Sequence, residues 1–342
     1  MEAWTVIGEQ GQASGGEGPE PVLAAADLAA VTGWAPKPEG WCRGAECIPA
    51  SLLGAVAADP APPVEEVAAA LGAAVALDAG HRISVLGHRP PAGSGPAAQD
   101  APDVELVGLD GERHRLFEQR EGKTLVVAFA SWCGCRHDLP GWQALQQELA
   151  GDGLDVVAVA IDEAPDAVAP FAEVVDLPVL VDTDRRFADT YELLNVPTVF
   201  WVDEDRNVVR RPSTEFSDDA FRDFHGVASG PHLDAVRRWV REGELPGDDV
   251  PARGWTGELT APQRQARVEF RLALELLRRG HAEPAAERIA AADALAPDDL
   301  TIWRAGMKLV GHDPFGQAFL DRYAEWQQRH GGPLAARHDA PT

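Results

Sequence analysis

A chain of 342 residues with 45% hydrophobic side chains can bury real cores and is too long for a single one, so two or three domains are expected. Its formal net charge of -25 repels nucleic acid and anionic membrane surfaces, which argues against both as partners. Arg is plentiful while Lys occurs only as Lys37, Lys123 and Lys308, and Ala, Gly and Pro are abundant, a composition with the look of a GC-rich bacterial genome.

The opening residues, MEAWTVIGEQGQ, hold no run like a signal-peptide core, and no later stretch reaches transmembrane length, so a cytoplasmic protein with no membrane partner is expected. Residues 8–21 are Gly-rich, acidic and aperiodic, and 1–21 reads as a flexible tail. A small α+β module is expected over 22–89. It has a helix over 22–31 closed by Gly33, a Trp- and Pro-rich loop carrying Cys42 and Cys47, and a helix over 64–71 opened by Pro62-Pro63 and ended by Gly72. Two short strands, near 75–77 and 83–86, complete it.

A Pro/Gly/Ser/Ala linker over 90–102 precedes an alternating stretch at 103–245. Strands are predicted at 125–130, 156–161, 178–181, 199–202 and 208–210, with helices at 136–149, 166–174, 185–191 and 231–242. Alternation of this kind predicts an α/β unit with a mostly parallel sheet covered by helices on both faces. Beyond a second Pro/Gly/Asp break the period turns helical. Leu272, Ala273, Leu276, Gly280, Ala285, Ile289, Ala292 and Pro297 fall at the spacings of the 34-residue tetratricopeptide hairpin, so 255–330 reads as a segment of that type, with a second repeat that breaks after Trp303. One repeat and a fraction cannot bury its own apolar face; it is expected to pack on the rest of the chain or on a partner protein.

The residues with chemistry lie in Ser131–Pro140, SWCGCRHDLP, directly after the apolar strand LVVAFA. Four cysteines are too few for a disulfide scaffold, and two close pairs in a reducing compartment point to catalysis, redox sensing or metal. With the leader APDVELVGLDGERHRL, the strand VVAVAID and the later NVPTVFWVDEDRNVV, residues 100–242 resemble the thioredoxin-like proteins, in particular thiol-disulfide oxidoreductases of the TlpA/ResA type. The resemblance implies a thioredoxin fold and a redox-active cysteine pair at the start of the first long helix, faced by a cis-proline. A helix N-terminus offers free N–H groups and the positive end of a dipole, which lower a thiol's pKa from its ordinary value of about 8.5.

Carried over residue by residue, the resemblance implies Cys133 as the attacking thiol and Cys135 as the resolving one, with one residue fewer between them than the family has. It also implies Asp138 as the acid that shuttles protons to Cys135, and Pro197 as the cis-proline. The resemblance further implies that Trp132, Val196 and Thr198 flank a substrate peptide that adds as a strand to the Val196 backbone. Closing so small a ring is expected to strain the disulfide and make it more oxidising, with Gly134 supplying the backbone freedom. Cys42 and Cys47 read first as a plain structural or unreactive pair, with a second redox pair or thiol relay to Cys133 as the sharper alternative; no His/Cys partners complete a zinc site with them, and no cofactor is implied.

The function expected is thus exchange with a protein disulfide or dithiol substrate. Two alternatives are a peroxiredoxin-like thiol peroxidase, against which FASWC lacks the Pro-x-x-x-Thr-x-x-Cys arrangement, and a non-catalytic adaptor or soft-metal binder that uses its helical repeat to hold a partner.

Overall fold

The structure, a computed structural model, describes residues 2–44, 46–89, 99–247 and 259–330. The chain divides into two compact units, Met1–Gly93 with Leu259–Pro297 and Ser94–Glu258 with Asp298–Thr342. The linker expected at 90–102 and the break after 245 lie largely outside the described residues.

In the first unit the sheet runs in the order Gln12–Ser14, Thr5–Ile7, Ile83–Leu86, Val75–Asp78. The expected flexible tail is therefore corrected: Thr5–Ile7 lies parallel to Ile83–Leu86 and antiparallel to Gln12–Ser14. Trp4 and Val6 are buried, and Trp4 Nε1 donates to Gly18 O at 3.1 Å. Two apolar side chains and a free sheet edge suffice to order a segment whose composition reads as loop. The helix expected over 22–31 is reduced to Leu28–Thr32, because Val22 bridges to Pro63 and Leu23 N donates to Pro62 O, which holds this stretch extended. The helix Val64–Leu71 stands where Pro63 and Gly72 predict it.

The helical hairpin Ala261–Arg278 and Ala282–Leu295 turns at Gly280, whose φ of 84° suits glycine. It packs on this unit's own sheet: Gln265 Nε2 donates to Val75 O at 2.9 Å and Arg288 Nη2 to Leu77 O at 2.7 Å. The segment 255–330 is not one unit, however. Pro297 ends the hairpin's unit, Asp299 caps the next helix by accepting from Thr301 N, and the helices Leu300–Leu309 and Gln317–His330 belong to the second unit. Their apolar face, Leu300, Trp303, Phe319, Tyr323 and Trp326, forms a cluster there.

The second unit has an α/β fold around an eight-stranded sheet. From one edge to the other it runs Arg113–Arg115, Glu105–Gly108, Val179–Val181, Leu154–Ala160, Lys123–Phe129, Thr198–Val202, Asn207–Val208, Gln99–Asp100. Only Lys123–Phe129, Leu154–Ala160 and Val179–Val181 run parallel, so the expected mostly parallel sheet is mixed. The strands around this parallel trio join it antiparallel, Thr198–Val202 directly against Lys123–Phe129. Lys123–Phe129 is buried along nearly its whole length. Leu125 and Val127 face a core shared with Trp142 and Leu145 of the helix Leu139–Leu149, and with Val236 and Trp239 of the helix Ser229–Glu242. The parallel strands end at one edge of this layer, and the strand exit at Ala130 delivers the cysteine pair there. Among the described residues no helix is long and apolar enough to cross a membrane.

Candidate active site around Cys133 and Cys135

The strand Lys123–Phe129 ends at Ala130, and the chain turns through Ser131 and Trp132 into a short 3-10 turn, Gly134–Asp138, before Pro140 opens the α-helix Leu139–Leu149. The helix expected from Arg136 thus starts with a tighter turn. Cys133 caps that turn, its Sγ accepting from Cys135 N at 3.3 Å, which is the contact that stabilises a thiolate at this position. Cys133 and Cys135 are joined by a disulfide with Cα atoms 5.2 Å apart, inside the range such a bond requires. Both are buried, Cys133 to 6% exposure and Cys135 to 3%.

The Val196-Pro197 peptide is cis, and Cys133 Sγ lies 3.6 Å from Val196 O. Asn195 positions this loop, its Nδ2 donating to Thr214 Oγ1 at 2.9 Å. Thr198 Oγ1 donates to Asn195 O at 2.9 Å, so its hydroxyl holds the turn. Trp132 is buried against the protein, and its carbonyl accepts from Arg304 Nη2 at 2.8 Å.

Side chains three apart eclipse on a 3-10 turn, which sets Asp138 on the same side as Cys135. Asp138 is buried and accepts from Ser217 N at 2.9 Å and Ser217 Oγ at 3.2 Å. Burial, with the nearby charge of Asp218, pushes its carboxyl up to about 7 against the opposing pull of those hydrogen bonds. A carboxyl poised there can take and return a proton near neutrality. His137 stands apart from this pair, with its ring between Phe171 and Phe221.

Cys42 and Cys47 belong to the first unit. They sit directly opposite each other on the hairpin Gly40–Arg43 and Glu46–Pro49, bonded as a disulfide with Cα atoms 4.1 Å apart.

Sequence reading missed the far wall of the site. A cavity of about 260 Å³ touches both cysteines, Trp132, Val196 and Pro197, and its opposite side is built by Phe216, Phe221 and His225 together with Arg304, Phe319 and Tyr323 of the terminal helices. Phe224 stacks on Tyr323 at 5.1 Å, and Arg304 lies over the Phe319 ring at 4.1 Å. Phe319 and Tyr323 lie one turn apart on the helix Gln317–His330, with Phe315 in the turn before it.

Residues 97–211 match the AhpC/TSA family. The thioredoxin-like protein YneN of Bacillus subtilis (strain 168) is 38% identical over 112 residues, which are 31% of this chain and 65% of YneN, just under two thirds of its length. The thiol-disulfide oxidoreductase ResA of the same organism is 27% identical over 128 residues, 36% of this chain and 72% of ResA. Among solved structures, the crystal structure of a putative thiol:disulfide interchange protein DsbE from Chlorobium tepidum is 26% identical, covers 33% of this chain and 84% of its own, and has a TM-score of 0.30. Over this stretch the chain is similar to the AhpC/TSA family and to thioredoxin-like and thiol-disulfide oxidoreductase relatives.

Proposed function

We propose that this protein is a thiol-disulfide oxidoreductase working through the shortened Cys133-Gly134-Cys135 pair on a protein disulfide. The observation that carries the reading is the convergence of both sulfurs, the cap N–H of Cys135 and the Val196 carbonyl at one strand exit. In the reducing direction Cys133 thiolate attacks a substrate sulfur, and the other substrate sulfur leaves as thiolate. Cys135 then attacks Cys133 Sγ, its proton passing to Asp138, and releases the second substrate thiol. Asp138 suits that step because its carboxyl sits near 7 on the Cys135 side of the turn.

The peroxidase alternative is not favoured, since FASWC lacks the residues that activate a peroxidatic cysteine. The reading is tested by counting thiols before and after reduction of protein purified without reductant, with an insulin-type reduction assay. A pair that takes up no electrons from a dithiol reductant would end it.

A further inference from the structure

The cavity beside the cysteine pair has a chemical character of its own. Its walls are mostly aromatic and aliphatic, and among the described residues no Asp or Glu lines it. Into these walls the helix Leu300–Leu309 brings one cation. Arg304 spends Nη2 on two backbone carbonyls, Trp132 O at 2.8 Å and Pro314 O at 3.2 Å, and its buried Nε has no acceptor. Among the described residues no carboxylate pairs with it; its neighbours are the rings of Phe319, Trp132 and Phe315 at 4.1, 5.4 and 5.8 Å.

A second donor lines the same cavity. His225 is 6% exposed and lies flat on Phe216 with ring centroids 3.6 Å apart. Its Nδ1 accepts from Val227 N at 3.1 Å, which leaves the proton of the neutral ring on Nε2, and that atom is buried without a partner. Burial also holds His225 neutral, down to about 4. Trp132 Nε1 is a third buried donor lacking an acceptor. Buried donors without acceptors are costly and call for a partner, and an uncompensated guanidinium among aromatic rings calls for an anion.

We infer that this cavity binds a small amphipathic dithiol, a short hydrocarbon chain ending in a carboxylate that meets Arg304, and that this dithiol is the electron donor that reduces the Cys133–Cys135 bridge. The inference rests on the exchange reading above and supplies its other half-reaction. Size supports a small molecule: about 260 Å³ exceeds the roughly 150 Å³ that holds benzene and falls below the roughly 300 Å³ where drug-sized sites begin. One donor thiolate attacks Cys133 Sγ, the Cys133–Cys135 bond breaks, and Cys135 leaves with the electron pair and takes a proton. The donor's second thiolate then closes on the donor sulfur held by Cys133, forming the donor's cyclic disulfide and expelling Cys133 as thiolate. Two electrons pass from donor to protein.

The test compares dihydrolipoate with dihydrolipoamide, which has the same dithiol and hydrocarbon chain but a neutral amide, as reductants of the full-length oxidised protein. Reduction is read at Cys133 and Cys135 by alkylation and peptide mass, with dithiothreitol as a neutral control. Dihydrolipoate is expected to be faster by about tenfold or more at subsaturating concentration, as a charge-assisted contact implies. Arg304→Met should bring it down to the dihydrolipoamide rate, and octanoate, which carries the charge without the sulfur, should slow dihydrolipoate in the unmodified protein. Equal rates for the two dithiols in the unmodified protein, with dithiothreitol active, overturn this inference and leave the exchange reading standing. A bridge that dithiothreitol cannot reduce removes both.

Discussion

Lys308 Nζ lies 3.3 Å from Asp162 Oδ1, and the same carboxylate accepts from Ser131 N at 2.8 Å and Ser131 Oγ at 2.5 Å. A residue of the helix Leu300–Leu309 is thereby tied, through one buried acid, to the backbone two positions before Cys133. Burial raises the Asp162 carboxyl above its ordinary value while Ser131 and Lys308 oppose the rise.

Lys308→Met should therefore leave a buried carboxylate with Ser131 alone. Because Lys308 is itself partly exposed, a loss of about 1–2 kcal/mol is expected at neutral pH, below the cost of breaking a fully buried pair. The sign follows from a folded-state carboxyl that sits high: its contribution is present at low pH and is lost as pH rises through the folded value. Removing Lys308 raises that value further, so the variant's deficit should grow with rising pH in denaturant titrations. A deficit that shrinks with pH would refute the assignment.

Cys133→Ser should abolish insulin reduction, whereas Cys135→Ser should accumulate a mixed disulfide on non-reducing gels, because the first attack survives and resolution does not. Full activity in Cys133→Ser would place the nucleophile elsewhere.

Asp138→Asn removes a group that titrates at about 7. In the unmodified protein the turnover limb controlled by Cys135 should rise through that region as the carboxylate forms, and in the variant this limb should vanish, with a fall of roughly 10²-fold at pH 7.5. Stability should respond in the opposite sense: the unmodified protein loses stability as pH climbs from about 4 to 7, since the folded state holds the proton that the unfolded chain has released. The asparagine variant should show a flatter profile over the same window. A pH-rate curve unchanged by the substitution would remove Asp138 from the proton path.

The pair Cys42–Cys47 is expected to be structural. Replacing both with Ser should cost about 2 kcal/mol, the chain-entropy value for so short a loop, and leave insulin reduction intact. A loss of turnover without loss of stability would instead support a relay to Cys133.

Much of the architecture can be read without coordinates. The buried strand Lys123–Phe129, the helix Val64–Leu71 between Pro63 and Gly72, and the hairpin around Gly280 are set by local rules of period, cap and turn, which act over a few residues. The pair SWCGC and the run NVPTV carry the site because strand exit and helix start place them on their own elements. Local rules stop where long-range pairing begins. Thr5–Ile7 has tail-like neighbours and becomes a strand because Ile83–Leu86, far along the chain, offers it an edge.

The same limit governs the site. Cys133, Cys135 and Asp138 share one turn, so their association follows from sequence spacing alone. Arg304 and Trp132, 172 residues apart, meet only because the chain breaks at Pro297 and the helices after it fold against the second unit. Phe319 and Tyr323 lie one turn apart on the helix Gln317–His330, but an apolar face specifies no particular partner: burial rewards any surface that excludes water, and the hydrophobic effect is non-directional. What the sequence by itself determined is the cysteine pair and its neighbour Asp138 on one turn. Only the tertiary structure brings Arg304 and the unpartnered His225 Nε2 to the cavity that this pair lines.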